Sequence, residues 1–220
     1  MFYHHQLQLI KIFQKKIFIN NRILTPKYFK FRFIEKINKK KLIQKIKKNL
    51  GFPVVIKPIN EGSSVEVYIC NKKNLIKNLI KLKPYKEIII EKYIPGREIQ
   101  VAILGNKKLG AIELIPKRKF YDYKAKYSAN AKTKYIIPVK IDKTNMDKIM
   151  EIAFKAHRVI GCRGVTRSDF KFYKKKFYLL EINTQPGMTS LSLVPEIARY
   201  NKLNFIQLVE WIIEDASINR

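Results

Sequence analysis

The stretch "VTRSDFKFYKKKFYLLEIN", residues 165–183, decides the predicted fold because it reads as two strands joined by a run of lysines. Side chains alternate between the two faces of a strand. Arg167 and Asp169 are therefore expected on one face, and Phe170 and Phe172 on the other. The pattern predicts an antiparallel hairpin with one polar face.

The second strand of this hairpin is expected to place Leu179, Glu181 and Asn183 on a shared face. A turn of three lysines then sets the register of the two strands. The pairs that it predicts are Tyr173 with Phe177, Asp169 with Glu181, and Arg167 with Asn183. A register shifted by one residue would abolish all of these pairs.

Two carboxylates that face each other destabilise a sheet by up to about 1 kcal/mol at a surface. Burial would also raise the pKa of one of them. A hard divalent cation removes this conflict, and Asp169, Glu181 and the amide oxygen of Asn183 suit Mg²⁺, with waters and phosphate oxygens as further ligands. The alternative interpretation is a solvated hairpin face with scattered charges. The metal site therefore needs a phosphate group nearby.

A lysine and a Gly/Ser loop follow an apolar strand in "VVIKPINEGSS", residues 54–64. Lys57 leaves the strand beside this loop, where backbone N–H groups and hydroxyls can contact phosphate oxygens. The alternative is an ordinary turn whose lysine extends along apolar surface. No GxxxxGK[ST] or GxGxxG pattern is present, so neither a P-loop nor a Rossmann fingerprint applies.

Two further segments contain candidate nucleotide contacts. Glu91 and Lys92 end an apolar strand, and Glu98 follows; acids at a strand end either bind ribose hydroxyls or are simply solvated. Lys126 and Tyr127 lie in the aperiodic segment "FYDYKAKY", where a closing loop could carry a phosphate-binding lysine.

The bulk properties exclude several classes of protein. The chain has 220 residues, 46% of them hydrophobic, and a formal charge of +29. Such a charge normally indicates a nucleic-acid partner. Here the lysines are spread along the whole chain, among other residues that AT-rich codons encode. The base composition of the genome therefore explains much of the charge, and nucleic-acid binding is not favoured. With no signal peptide, no membrane span, and two distant cysteines expected to be reduced, a cytoplasmic protein is predicted.

The order of the elements predicts an α+β fold with antiparallel sheets and flanking helices. Two lobes, residues 1–93 and 94–220, are expected to meet near residue 93. The predicted helices cover 6–20, 35–50, 72–82, 142–160, 195–200 and 204–216. The predicted strands cover 53–59, 65–70, 87–93, 97–104, 108–116, 164–173 and 177–183.

These fragments, in this order, closely resemble the D-alanine–D-alanine ligase family, whose members are two-substrate ligases of the ATP-grasp fold. The matching stretches are "GFPVVIKPINEGSSV", "EKYIPGRE", "AILG", "FYDYKAKY", "GCRGVTRSDF" and "LLEINTQPGMTSLSLVP". The resemblance implies that ATP lies between the central and C-terminal lobes. It also implies that two D-alanines are joined through an acyl phosphate for peptidoglycan precursor synthesis.

The resemblance carries roles over to residues of this chain by position. Those expected to hold the nucleotide are Lys57, Glu91, Lys92, Ile94, Glu98, Lys126 and Lys11. The expected ligands of Mg²⁺, or of Mn²⁺ in its place, are Asp169, Glu181 and Asn183. Arg167 and the N–H of Gly187 are expected to stabilise the oxyanion, and the substrate pocket is expected to involve Ser63, Tyr127, Ser192 and Leu193.

The start of the chain departs from the family pattern. The resemblance implies that family members begin with a further lobe of roughly ninety residues, slightly smaller than a usual domain of about 100–150 residues. Lys11 and Lys15 take the positions of the family's two lysines, whereas Leu9 and Ile10 replace Met and Asp. Residues 1–10 look unlike the family. One hypothesis is that a frameshift in an A-rich tract separated this piece from its upstream lobe.

The expected partners are D-alanine, a second copy of the chain, and a separate chain that carries the upstream lobe. Two alternatives stay open. One is a remnant that binds ATP without catalysis. The other is a basic nucleic-acid-binding protein, for which "GCRG", residues 161–164, offers the GxxG pattern of a KH loop.

Overall fold

The computed structural model describes residues 11–33, 38–62, 65–116, 133–189 and 192–216, which form two antiparallel sheets with flanking helices. The first sheet has four strands in the order β1-β4-β2-β3. These strands are β1 (Tyr28–Arg32), β2 (Val54–Pro58), β3 (Tyr68–Cys70) and β4 (Glu87–Lys92). The helices that follow β1 and β3 are α2 (Lys39–Asn49) and α3 (Leu75–Lys81).

Helix α2 forms where its sequence supplies both ends. The side chain of Asn38 accepts a hydrogen bond from the N–H of Lys41 at 3.0 Å, which caps the N-terminus. Gly51, at φ +73°, follows the helix and donates its N–H to the carbonyl of Ile46. Between these ends, Leu42 and Ile46 are buried against the first sheet, as the three-to-four spacing of apolar residues predicts.

The second sheet has five strands in the order β7-β6-β5-β8-β9. These strands are β5 (Arg97–Leu104), β6 (Lys107–Ile115), β7 (Lys134–Ile136), β8 (Val165–Tyr173) and β9 (Lys176–Asn183). The helices near it are α4 (Lys143–Val159), α5 (Leu193–Tyr200) and α6 (Phe205–Asp215).

Strand β5 is apolar on both faces because each face meets a different layer of helices. Ile99 and Val101 belong to the core that contains α4. Ala102 and Leu104 belong to the core formed with α5 and α6. The side chains alternate along the strand, so one run of apolar residues serves both cores.

Helix α1 (Lys11–Asn20) packs against the second sheet, although it precedes the first sheet in the sequence. Phe18 is fully buried in the core that contains α4. The side chain of Gln14 donates to the carbonyl of Ile182 at 2.8 Å and accepts from its N–H at 3.1 Å. This pair of hydrogen bonds covers the outer edge of β9. The predicted boundary between the two lobes near residue 93 stays a prediction. Helix α1 contacts residues on both sides of it.

The structure pairs Asp169 with Glu181 and Arg167 with Asn183, as expected. The pairing at the turn is wrong, because Tyr173 pairs with Lys176 rather than with Phe177. Lys174 and Lys175 have φ values of 48° and 58°, so two residues, not three, close the turn. A β-bulge then restores the expected register.

This bulge also corrects the predicted face of Leu179. Phe170 pairs with Leu179, while Asp169 pairs with Glu181, which leaves Leu180 as the extra residue. Leu179 is buried in the core and Leu180 faces the cleft described below. Leu179 and Glu181 therefore do not share a face, because the extra residue breaks the alternation between them.

Other differences lie in short or aromatic elements. The sequence analysis did not predict β1 or β7, and β3 begins at Tyr68 rather than at residue 65. The prediction of the first helix before residue 11 lies outside the described residues. The α+β class with antiparallel sheets is confirmed. Among the described residues, no helix combines the length and apolar content that crossing a membrane requires.

Candidate functional site

A cleft lined by both charged and apolar side chains lies where the two sheets meet. Strands β2 and β4 of the first sheet and strands β5, β8 and β9 of the second contribute to its walls. The predicted site residues that line it are Lys11, Lys57, Glu91, Lys92, Ile94, Glu98, Asp169 and Glu181. The structure thus brings together residues that are far apart in the sequence.

A buried carboxylate between two lysines forms one wall of the cleft. The Nζ of Lys57 lies 2.7 Å from Oε1 of Glu91, and the Nζ of Lys15 lies 3.0 Å from Oε2. Lys57 on β2 and Glu91 on β4 belong to neighbouring antiparallel strands. Lys15 comes from α1 and also donates to Oγ1 of Thr25 at 2.8 Å. We call Lys15, Glu91 and Lys57 the buried triad.

Burial and charge act in opposite directions on the buried triad. Burial alone would raise the pKa of Glu91, but the attraction of Lys15 and Lys57 lowers it below its usual value. Burial would lower the pKa of Lys57, and Glu91 outweighs that effect and raises it. For Lys15 the burial effect wins, so its pKa is lowered although Glu91 opposes the shift. The carboxylate is thus kept ionised.

The two acids of the hairpin face each other beside the cleft. Asp169 on β8 pairs with Glu181 on β9, and only 5% of the surface of Asp169 is exposed. Arg167 donates to both carboxylate oxygens of Asp169, at 2.8 and 3.1 Å. The Nζ of Lys11 lies 3.5 Å from Oε2 of Glu181 and also donates to the carbonyl of Glu61. Basic side chains therefore neutralise both acids in this structure.

The donor set of the hairpin suits a hard cation. The described segments contain no group of three or more His, Cys, Asp or Glu side chains placed to hold a metal. Asp169, Glu181 and Asn183 offer oxygen atoms, and Mg²⁺ typically keeps waters and takes substrate phosphates as further ligands. The amide oxygen of Asn183 accepts a hydrogen bond from the N–H of Gln185 at 3.1 Å, which orients it. The residues present fit a magnesium site completed by a nucleotide.

A family model described as "D-ala D-ala ligase C-terminus" matches residues 18–214 of the chain. The chain belongs to this family. A curated D-alanine–D-alanine ligase from Pelagibacter ubique (strain HTCC1062) is 67% identical over 210 residues, which make up 96% of this chain and 68% of that protein.

Solved structures of the family agree with this assignment. A D-alanine–D-alanine ligase from Bacillus anthracis superposes with a TM-score of 0.81 at 32% identity, over 95% of this chain and 67% of that one. A D-alanine–D-alanine ligase from Bacillus anthracis complexed with ATP superposes with a TM-score of 0.78 at 27% identity, over 95% of this chain and 66% of that one. The ATP-grasp fold predicted from the sequence is confirmed. The chain spans about two thirds of the length of these relatives.

In this D-alanine–D-alanine ligase family member, the β4–β5 connection carries the remaining candidate nucleotide contacts. Ile94 is 7% exposed and lines the cleft together with Lys92. Glu98 at the start of β5 also lines the cleft, and the Nζ of Lys171 lies 2.8 Å from its Oε2. Lys171 therefore holds the carboxylate that was predicted to bind ribose. The sequence analysis assigned no role to Lys171.

The loop after β9 brings Gly187 against Ser192 at the start of α5. A Cβ on Gly187 would lie 2.9 Å from Oγ of Ser192, so a side chain larger than hydrogen would displace it. Oγ of Ser192 accepts from the N–H of Thr189 at 3.0 Å. Leu193 is 8% exposed and packs in the core with α5 and α6. The roles predicted for Gly187, Ser192 and Leu193 stay predictions, as does that of Asn183.

Ser63, Lys126 and Tyr127 lie outside the residues that the structure describes. Their predicted roles in the substrate pocket and the closing loop therefore stay predictions.

Sequence reasoning gave no role to three buried polar residues around this cleft: Lys15, Gln14 and Gln100. Lys15 and Gln14 lie on the buried side of α1, where an amphipathic pattern assigns polar residues to solvent. Gln100 is opposite Asp169 on β5, is fully buried, and finds no hydrogen-bond partner for its amide among the described residues. The four-residue spacing of Lys11 and Lys15 was the one available signal.

Proposed function

We propose that this chain supplies the nucleotide- and metal-binding lobes of an enzyme that joins two D-alanines, with conversion of ATP to ADP, for peptidoglycan precursor synthesis. One observation carries the proposal: the paired acids Asp169 and Glu181 lie at the same cleft as Lys57 and Glu91. Family membership and the likeness to a ligase complexed with ATP support it.

The proposed reaction has two steps. The carboxylate of the first D-alanine attacks the γ-phosphate of ATP and forms an acyl phosphate, while ADP leaves. The amine of the second D-alanine then attacks the acyl carbon, and inorganic phosphate leaves as the peptide bond forms. No enzyme nucleophile is needed, so the task of the protein is to position the reactants and stabilise charge.

The residues of the cleft suit that task. Lys57 and Lys11 would neutralise nucleotide phosphates from two sides of the cleft. Asp169, Glu181 and Asn183 would hold Mg²⁺, which supplies further neutralisation of the phosphoryl group in transfer. Ile94 would contact the base through its backbone, and Glu98 the ribose.

Arg167 lies next to the paired acids and carries donors suited to an oxyanion. Two of its guanidinium nitrogens bind Asp169, which fixes the plane of the group. In the proposed tetrahedral intermediate, Arg167 and the N–H of Gly187 would donate to the oxygen that gains negative charge.

Phosphate release from ATP, with and without D-alanine, tests the proposal. Asp169→Asn should lower the D-alanine-dependent rate by about a hundredfold or more because it removes a metal-binding charge. Asp147→Asn makes the same chemical change on the exposed surface of α4 and should leave the rate unchanged. An unaltered rate in Asp169→Asn would contradict the metal assignment.

The same assay separates the other candidates. ATP binding without D-alanine-dependent phosphate release indicates a nucleotide-binding protein that does not catalyse ligation. Salt-sensitive RNA binding with neither activity indicates a nucleic-acid-binding protein. Repeating the assay with the part of the Pelagibacter ubique relative that this chain does not cover tests for a separate partner chain. Size-exclusion chromatography with light scattering tests for a homodimer, and the cytoplasmic location stays a prediction.

A further inference from the structure

Lys15 is a fully buried lysine for which the proposed reaction has no use. Its side chain has no exposed surface, and it is not among the residues that line the cleft. Its Nζ lies 3.0 Å from Oε2 of Glu91 and donates to Oγ1 of Thr25 at 2.8 Å. A buried ammonium group is costly unless it is paired, so this contact is expected to serve the site or the fold.

The buried triad has a net charge that depends on Lys15. With both lysines protonated and Glu91 ionised, the three side chains together carry one positive charge. Without Lys15, Glu91 and Lys57 would neutralise each other at 2.7 Å. Lys57 and Glu91 line the cleft, whereas Lys15 approaches Glu91 from α1 and does not line it. The positive charge of Lys15 therefore offsets the negative charge that Glu91 sets against Lys57.

We infer that Lys15 is a positioning residue for nucleotide binding: it neutralises Glu91 without lining the cleft itself, so that the charge of Lys57 acts on the phosphates of the ligand. The inference rests on the proposed function and assigns that site a charge-setting residue outside the cleft. Coulomb attraction scales with ligand charge, so the contribution of Lys15 grows from adenosine to AMP, ADP and ATP. A residue that only supports the fold would affect all four ligands equally.

The test measures dissociation constants for adenosine, AMP, ADP and ATP by calorimetry, in EDTA at a fixed low ionic strength. EDTA keeps the proposed metal site out of the measurement. In Lys15→Met, adenosine binding should stay within about twofold of wild type, whereas ATP should bind at least about tenfold more weakly. AMP and ADP should fall between these values.

Lys16→Met is the matched control. It removes the same charge from the next position of α1, where the side chain is exposed and solvent screens it. Its four dissociation constants should all stay within about twofold of wild type. If Lys16→Met reproduces the charge dependence of Lys15→Met, the effect belongs to overall charge and the inference fails.

A double variant protects the test against a folding defect. Lys15→Met with Glu91→Gln removes one charge of each sign, which leaves Lys57 as the one charged member of the triad. Its binding should again strengthen with ligand charge, as in wild type. The inference is overturned, and the proposed function is not, if Lys15→Met weakens the binding of all four ligands equally. The same holds if the double variant does not regain the increase of affinity with ligand charge. A wild-type chain that binds no ATP in either EDTA or Mg²⁺ overturns the proposed function as well.

Discussion

Arg167 donates two hydrogen bonds to Asp169, from Nε to Oδ1 at 2.8 Å and from Nη2 to Oδ2 at 3.1 Å. Both oxygens of a proposed metal ligand are thus in contact with a guanidinium group. A cation that binds Asp169 must act against the positive charge of Arg167. Mg²⁺ binding and the orientation of Arg167 are therefore expected to be coupled.

Arg167→Met should change metal binding and turnover in opposite directions. Loss of the nearby positive charge should tighten Mg²⁺ binding by roughly tenfold. Loss of the oxyanion donor should lower the rate of D-alanine-dependent phosphate release by about a hundredfold or more. Calorimetric titration with Mg²⁺ and the phosphate assay measure the two effects. Weaker metal binding in this variant would mean that Arg167 holds Asp169 in its ligating position.

Gln100→Met should stabilise the protein. Both amide atoms of Gln100 are buried without a hydrogen-bond partner among the described residues, and such a group costs about 1–3 kcal/mol. Methionine has a similar shape and no strong polar group. Urea unfolding should therefore give a free energy of unfolding about 1 kcal/mol or more above wild type.

Gln14→Met supplies the matched control for Gln100→Met. The amide of Gln14 makes two hydrogen bonds to Ile182, so the same substitution leaves backbone groups at the edge of β9 without their partner. The free energy of unfolding should fall by about 1–3 kcal/mol. If both substitutions changed the free energy of unfolding in the same direction, hydrogen bonding of the amide would not decide the sign of that change.

The sequence predicted the β8–β9 hairpin and its facing acids because those depend on local alternation along strands. Asp169 and Glu181 could be paired from their spacing around the turn, although the shorter turn and the bulge shift the register in compensating directions. Lys15 could not be placed in the same way. Its partner Glu91 lies in the first sheet, whereas the helix that carries Lys15 packs against the second. A helical pattern by itself also places a lysine in solvent.

The aromatic and basic alternation of "YFKFR" in β1 shows a different limit. The strand is short and lies at the edge of the first sheet, where neither face is fully buried. Its pairing with β4 is what makes it a strand, and that contact is between segments far apart in the sequence.

Acidification should remove the stabilisation contributed by Glu91. Its pKa is lower in the folded protein than the usual value of 4.5, so below that value the unfolded chain binds more protons. This contribution is complete above about pH 4.5 and is lost as the pH falls through the folded-state pKa. Urea unfolding between about pH 3 and pH 7 should show a shallower acid loss in the double variant Lys15→Met, Glu91→Gln than in wild type. Parallel curves would contradict an ionised Glu91.

Gly96→Ala should be far more destabilising than Gly161→Ala. Both glycines have positive φ, +113° for Gly96 and +79° for Gly161, so alanine is strained at each by about 1–2 kcal/mol. A Cβ on Gly96 would lie 2.3 Å from the carbonyl oxygen of Phe172, whereas none of the described atoms lies within 4 Å of a Cβ on Gly161. Relief of that clash requires the backbone of β8 to move and adds about 1–3 kcal/mol. Gly96→Ala should therefore lower the free energy of unfolding by about 3 kcal/mol or more, and Gly161→Ala by about 1–2 kcal/mol.

Because Gly96 separates Ile94 from Glu98, its variant should also weaken nucleotide binding, while Gly161→Ala should not. Equal losses of stability would show that backbone strain alone, and not the contact with Phe172, requires glycine at this junction of the two sheets.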